Sequence, residues 1–478
     1  MANKNQFYVD ISSVHKEVTG SCILNTIKFP NGRTKKVLID CGMFQEREYN
    51  DLNKSFPFIP GDVDHVIITH NHMDHIGRIP LLVKQGYEGK VHMSNATSVL
   101  IKPALYDGLK ILKNRFELFN EPLLYTEDDV TKAINQIEAH AYNSPEWLDE
   151  NIKMTLFMNG HLPGAVIVLL QIYYRDAEKK YDTINLLFTG DYINRNSFFD
   201  VAPIPKWVYD LPITIVQEST YGNMDSTEIQ PVFRANIIKA IEENRQIVCP
   251  VFSLARSQEI MLTIKQMQDE SIISKRIPIY YDGKLGNKYN EIYYSGLLDL
   301  NENSQNFTPQ NFTVVDSKQK RNSIISENSC KIILTTSGMG TYGPSRTYLP
   351  AMLSKKNCLI HFTGYLAEDS MGRTIYEAEP ESVCEFMGLQ VKKRAEVKYT
   401  SEFSSHAKSD ELINFLRPFN DIKMVLINHG ETNTKIAYSQ KVVDEVEPKY
   451  TAILGEYLYR VCAFGFVKSI STKYQLYK

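Results

Sequence analysis

The run ITHNHMDHIG, residues 68–77, places His70, His72, Asp74 and His75 within six positions. Val66 to Thr69 read as a buried strand that ends at His70. In extended backbone, residues i and i+2 share a face, so His70 and His72 present two imidazoles to one side, where they can share a metal ion. Asp74 and His75 fall where the chain turns into a helix, read as Ile76 to Lys84, and are aimed at a second metal. A solvated polar loop would also follow a strand in this way. Three of the chain's eleven histidines beside an aspartate in a single turn argue against that reading, because a histidine-rich turn at a strand's C-terminal end is how catalytic zinc sites are built.

One motif does not complete such a site, since each zinc needs about three protein ligands and an open position. Further donors stand where strand ends predict them. Asn159-Gly160-His161, followed by Leu-Pro-Gly-Ala, puts His161 in a glycine-flanked turn between strands. Thr189-Gly190-Asp191 closes the apolar run INLLF with a carboxylate that could bridge two ions, and MVLINHG ends on His429. Taken singly, a histidine at a strand end is more often structural. Five histidines and two aspartates at such positions call for a common explanation, and they are too many donors for one tetrahedral ion.

Outward from these motifs, the chain organises itself as α/β. Short runs such as CILNTIKF, KVLIDCG and HVIITH, bounded by Gly, Pro and Asn, read as strands. Apolar spacing turns helical from about Ser98 to Phe119 and from Glu127 to His140. Strands return in MTLFMN, AVIVLLQIYY and INLLFTGD. After about Tyr209 strands alternate with helices: ITIVQE, FRANIIKAIEEN, IVCPVFS, ARSQEIMLTIKQMQ, IPIYYDG, NKYNEIYYSGLL, KIILTTSG and CLIHFTGY. That alternation predicts a parallel sheet covered by helices. From about Leu389 short strands resume in VKKRAEVKYT and MVLINHG. The expected layout is therefore a first domain over 1–208, an inserted domain over 209–386, and a return to the first over 387–478.

Composition bounds the rest. At 478 residues, 43% hydrophobic and 23% charged, the chain suits two or three domains with sizeable cores. A net charge of −3 advertises no nucleic-acid partner, although a basic groove can sit within an acidic total. Seven cysteines, Cys22, Cys41, Cys249, Cys330, Cys358, Cys384 and Cys462, are scattered without a C-x-x-C pair, which argues against a disulfide framework and for a reducing compartment. With no apolar leader at MANKNQFYVDISS and no run long enough to span a bilayer, the expectation is a cytoplasmic protein with no membrane partner.

The ordered set DCGMFQ, THNHMDH, NGHLPGA and FTGDY closely resembles the metal motifs of the metallo-β-lactamase superfamily. VQESTYGN, VCPVFSLARSQEI, YYDGKLGNKY, LTTSGMGTYGPSRTYL and HFTGYLAEDSMGR resemble segments of the β-CASP subgroup, its nucleic-acid-processing branch, and FSSHAKSDEL and INHGE resemble that subgroup's last two histidine motifs. The resemblance spans almost the whole chain. It implies an αββα sandwich interrupted by a β-CASP α/β domain. By position it implies two Zn²⁺ ions, one on His70, His72 and His161, the other on Asp74, His75 and His429, with Asp191 bridging and Asp40 supporting the ligands. Asp40 alone could equally be a turn cap. Glu218 and His406 match two β-CASP motifs whose residues are neighbours in the active site.

This resemblance implies hydrolysis of phosphodiester bonds by a metal-bridging hydroxide, with His406 as the acid that protonates the leaving oxygen and Glu218 holding its tautomer. Members with a histidine at the final motif resemble RNA-processing enzymes, so His429 favours RNA, single-stranded, over DNA. The layout most resembles the nuclease subunit of cleavage and polyadenylation specificity factor and its short bacterial and archaeal relatives, without the archaeal KH domains or the long carboxy-terminal domain of RNase J. Lys408 departs from the family, which often has aspartate there. The alternatives are a DNA-directed nuclease, a silent RNA-binding subunit and a small-molecule hydrolase, the last disfavoured by the inserted domain. Endonuclease and 5′-to-3′ exonuclease modes, and a homodimer, stay open. Ser337 and Gly338 match a segment near bound phosphates, where backbone N–H groups suit an anion, though a plain turn reads equally well. Arg256 and Arg373 could face RNA or brace helices, and Lys392-Lys393-Arg394 reads as a solvated strand face.

Overall fold

The strand Val166–Arg175, VIVLLQIYYR, shows how the chain builds its layers. Val166, Val168, Leu170 and Ile172 join one apolar core with Val9, Ile11, Ile27, Val37 and Ile39. Ile167 and Leu169, pointing the other way, join a different core with Leu412, Ile413, Leu416, Tyr438 and Val442. A continuous apolar run is what a strand covered on both faces requires. The computed structural model describes residues 7–46, 48–175, 181–367, 370–386, 388–455, 457–462 and 467–470.

Two compact units result. The first holds the residues up to Asn196, Asp200–Ser226 and those from Ser405 onward. It contains an eight-stranded and a seven-stranded sheet with the core around Val9 and Val168 between them. Helices lie on the two outer faces: Asn95–Phe119 and Glu127–Asn135 cover Leu38, Val66 and Val91 of the first sheet, and Ser409–Leu416 and Thr432–Val446 cover the second. This is the expected αββα sandwich. The helix Asn95–Phe119 starts where the Ser94 side chain accepts the Thr97 N–H, a serine cap worth about 1 kcal/mol.

The second unit, Ser197–Phe199 and Thr227–Ser404, carries a six-stranded sheet in the order Phe312–Val314, Ile279–Asp282, Lys331–Thr335, Gln246–Pro250, Cys358–Phe362, Glu396–Tyr399. Every pairing is parallel, as the strand–helix alternation predicts.

Several elements differ from the sequence expectation. Ile213–Gln217, read as opening the inserted domain, instead lies in the first unit, parallel to both Tyr181–Phe188 and Ile422–Ile427. Glu396–Tyr399, read as part of the return, extends the second unit's sheet beside Cys358–Phe362. The units thus meet later in the chain, at 226/227 and 404/405, than the expected 208/209 and 386/387. The helix expected to reach His140 stops at Asn135, and Ile137–His140 is a strand parallel to Lys90–Ser94. The helix expected over Ile76 to Lys84 is two short ones, Met73–Ile76 and Ile79–Lys84, with Pro80 in the first turn of the second, where its missing N–H costs no helical hydrogen bond. Among the described residues no helix is long and apolar enough to cross a membrane.

Candidate metal centre

All the chemistry-bearing loops of the first unit leave strands at the same end. Asp40 follows Thr34–Ile39, His70 follows His65–Ile67, and His161 follows Ile152–Met158. Asp191, Glu218 and His429 follow Tyr181–Phe188, Ile213–Gln217 and Ile422–Ile427, three strands paired in parallel. Parallel pairing aligns C-terminal ends, so residues more than two hundred positions apart in sequence converge.

Three overlapping groups of donors result here: two match the expected ligand sets, and the third, Asp191, Glu218, His406 and His429, shares a member with each. His70, His72, His161 and Asp191 have ligand atoms all within 4.8 Å of one another, and so have Asp74, His75 and His429. In the first, His72 Nδ1 stands 3.2 Å from His70 Nε2 and 3.0 Å from His161 Nε2, and Asp191 Oδ2 lies 3.5 Å from His70 Nε2. In the second, Asp74 Oδ2 stands 3.8 Å from both His75 Nε2 and His429 Nε2. Asp191 faces this group too, with Oδ2 3.4 Å from His75 Nε2 and Oδ1 3.3 Å from His429 Nε2. Donors bound at about 2.0–2.1 Å around a tetrahedral ion stand roughly 3.3 Å apart, which is the spacing found. His75 Nε2, His429 Nε2 and Asp191 Oδ1 are buried without a hydrogen-bond partner, a costly state for polar atoms that a cation relieves. The donors present fit metal ions.

The electrostatics divide the donors: burial lowers His75 and His429, but Asp191, with Asp40 at His75 and Asp74 at His429, outweighs it and raises both above the ordinary histidine value. Burial holds His72 down at about 4 and His70 and His161 well below their ordinary value, so these imidazoles are neutral, the form that ligates. Asp74 is pushed up by burial, but His429, His75 and His72 outweigh this and keep it below the usual carboxylate range. Burial raises Asp191 too, but His429, His75 and His70 outweigh it, so Asp191 is likewise charged. The two carboxylates stand beside five imidazoles, Asp191 buried and Asp74 partly exposed.

A ring of contacts aims the donors. Asp40 accepts the Thr69 N–H at 2.8 Å and meets His75 Nδ1 at 2.7 Å, and His161 Nδ1 donates to the Ser405 carbonyl at 2.8 Å. Thr69 Oγ1 stands 3.1 Å from His70 Nδ1, and Thr220 Oγ1 3.0 Å from His429 Nδ1. Each of these four rings is thus held by Nδ1 and presents Nε2 inward, the arrangement that fixes tautomer and orientation in metal sites. Asn159 joins two loops, accepting the His161 N–H and donating to the Asp191 and Thr189 carbonyls. Sequence reading gave a supporting role to Asp40 but none to Thr69, Asn159, Thr220 or Ser405, although each stands within a quoted motif: THNHMDH, NGHLPGA, VQESTYGN and FSSHAKSDEL.

His406 and Glu218 are also brought together here. His406 Nδ1 lies 2.9 Å from Glu218 Oε2, which leaves Nε2 facing Asp191 Oδ2 at 3.9 Å. The Tyr192 N–H donates to Glu218 Oε1, and the Thr220 N–H donates to Oε2 at 3.3 Å. Lys408, the departure from the family pattern, is buried with its ammonium 3.3 Å from the centroid of the Tyr221 ring. Ser337 and Gly338 belong to the second unit, just past Lys331–Thr335. There the Ser337 N–H donates to the Tyr342 carbonyl at 3.2 Å, and Gly338 packs on Phe252. Arg256 is buried and donates to the Thr363 carbonyl, and Arg373 pairs with Glu377 one helical turn on.

Comparison with known proteins places this geometry. The metallo-beta-lactamase superfamily matches residues 27–230, the Beta-Casp domain 257–375, and the Zn-dependent metallo-hydrolase RNA specificity domain 390–452. Ribonuclease TTHA0252 of Thermus thermophilus is 30% identical, the match covering 92% of this chain and 97% of that protein. Cleavage and polyadenylation specificity factor subunit 3-I of Arabidopsis thaliana is 27% identical over 94% of this chain and 63% of its own length. Transcription termination factor FttA of Methanocaldococcus jannaschii is 28% identical over 89% of this chain and 67% of its own. With its clustered histidines and aspartates, its inserted parallel-sheet unit and a relative matched over 97% of its length, the chain belongs to the β-CASP branch of the metallo-β-lactamase superfamily, hydrolases that bind divalent metal and cut nucleic acid.

Proposed function

We propose that this protein is a two-zinc ribonuclease that hydrolyses RNA phosphodiester bonds, with RNA held as a single strand. The observation that carries the reading is the pair of donor groups on either side of Asp191, each of whose oxygens faces histidines of the second group while Oδ2 also faces the first. His70, His72 and His161 would hold one ion and Asp74, His75 and His429 the other. When bound, two zinc ions supply Lewis acidity and an activated water to an in-line displacement.

The chain's own residues do the rest. His75 is held by Asp40 and His161 by the Ser405 carbonyl, so ligand positions are set before substrate arrives. His406 is fixed through Nδ1 by Glu218 and turns Nε2 toward the centre, placed to give a proton to the departing sugar oxygen. Glu218 keeps that tautomer and steadies the imidazolium. RNA over DNA is supported by His429 at the final motif and by the match of residues 390–452 to a domain described by RNA specificity. The test is to incubate end-labelled RNA, and DNA of matching sequence, with zinc-loaded protein and to read the product ladders. Cleavage of RNA alone is expected, and the ladder reports endonuclease against 5′-to-3′ exonuclease mode. Intact RNA, or DNA cut at the same rate, would overturn the reading.

A further inference from the structure

Three histidines outside the metal centre stand on neighbouring strands of the eight-stranded sheet: His65 on His65–Ile67, His92 on Lys90–Ser94, and His140 on Ile137–His140. The strands are parallel, with Ile67 opposite His92, His92 opposite Glu138 and Ser94 opposite His140. Residues two apart share a face, and directly opposed residues share one too, so all three imidazoles and Glu138 project from the same side. His92 Nδ1 lies 3.0 Å from His140 Nε2, and His65 Nδ1 lies 3.3 Å from His92 Nε2. His92 and His140 are 3% and 8% exposed, whereas Glu138 is at the surface. Ligand atoms of His92, Glu138 and His140 fall within 4.8 Å of one another.

We infer that His92, His140 and Glu138 form a further divalent-cation site of the zinc class, sharing no residue with the centre around Asp191. Ring nitrogens about as close as those of His72 with His70 and His161 recur here. Two histidines and a carboxylate suit zinc, cobalt or nickel rather than calcium or magnesium. The surroundings complete the pattern. With Nδ1 turned to the ion, His92 carries its hydrogen on Nε2 and donates to His65 Nδ1. His65 Nε2 then faces Asp149 Oδ2 at 3.9 Å, an oxygen that Lys35 Nζ also approaches at 3.4 Å, while Asp149 Oδ1 is fixed by the Asn151 and Ile152 N–H groups. A ligating histidine backed by a hydrogen-bond acceptor and a carboxylate is the usual support of a metal site. Burial, then His65 and His140, hold His92 at about 3, so it is neutral and able to ligate. The ion would tie Ile137–His140, the last strand of its sheet, to its neighbour.

Equilibrium dialysis of the full-length protein against zinc chloride, with bound zinc counted by elemental analysis, tests this. The wild type should bind one equivalent more than Glu138→Gln or His140→Asn, and Asp149→Asn should weaken that last equivalent about 10–100-fold. Glu138 is exposed, so its variant keeps the fold even if His140→Asn does not. Equal zinc in wild type and Glu138→Gln would overturn the site and leave a hydrogen-bonded row of imidazoles. The measurement is a difference, so it stands whatever the centre around Asp191 holds.

Discussion

Asp191 and His406 lie 3.9 Å apart, yet their removal should have different consequences. Asp191 faces histidines of both donor groups, so Asp191→Ala should lose zinc and activity together. His406 is held by Glu218 and, in the proposed assignment, is not a ligand. His406→Ala should lower turnover on RNA by about 10²–10⁴-fold with zinc content unchanged. On a nitrophenyl phosphodiester, whose leaving group needs little protonation, the His406→Ala defect should shrink. An equal defect on both substrates, or zinc loss in that variant, would assign His406 another task. Asp40→Asn, which weakens the support of His75, should raise the zinc dissociation constant of one site about 10–100-fold, read by competition with a chromogenic chelator. Unchanged affinity would reduce Asp40 to a turn cap. The motifs that bear the proposed ligands were legible because they combine an apolar strand with a polar end. Thr220 and Ser405 were not, because their partners, His429 and His161, lie 209 and 244 positions away.

The loops that carry these residues depend on close backbone approaches. A Cβ on Gly42 would fall 1.5 Å from the Asp74 carbonyl oxygen and 2.8 Å from the His75 nitrogen. Gly42→Ala must therefore push away the turn bearing two proposed ligands. A stability loss of about 1–3 kcal/mol and lowered zinc occupancy are expected, from denaturant melts and metal analysis. A variant that retains full zinc would show that the turn yields elsewhere. In Val166–Arg175, Leu169 and Leu170 face different cores, so truncation of either to Ala should cost a similar ~2–5 kcal/mol. A large loss at only one position would mean that the strand is covered on one face. Element type was legible wherever period and length agreed, as in this strand and in Asn95–Phe119. It failed at Ile137–His140, where four residues after a capped helix carry no period of their own and pairing with Lys90–Ser94 decides. The assignment of Ile213–Gln217 was equally beyond local reading, since five buried residues suit either unit's parallel sheet.

Across the whole molecule, the proposed ligands run from His70 to His429 yet all belong to the first unit, while the second unit interrupts them with its own core around Ile333, Tyr348 and Ile360. A cation bound only by the folded state stabilises it by mass action, about 4 kcal/mol at free zinc a thousandfold above the dissociation constant. That stabilisation belongs to the unit whose loops it joins. Removing zinc with a strong chelator should therefore lower the stability of the first unit much more than that of the second, so melting follows two transitions and no single midpoint describes the chain. Hydrogen exchange resolves them by strand. Ile422–Ile427, which leads into His429, should lose protection on zinc removal, whereas Lys331–Thr335, central in the six-stranded sheet, should keep it. Restoring zinc should return protection to the first strand alone. If both strands lost protection equally, the two units would unfold as one cooperative body, and the metal would stabilise the entire chain rather than the sandwich that binds it.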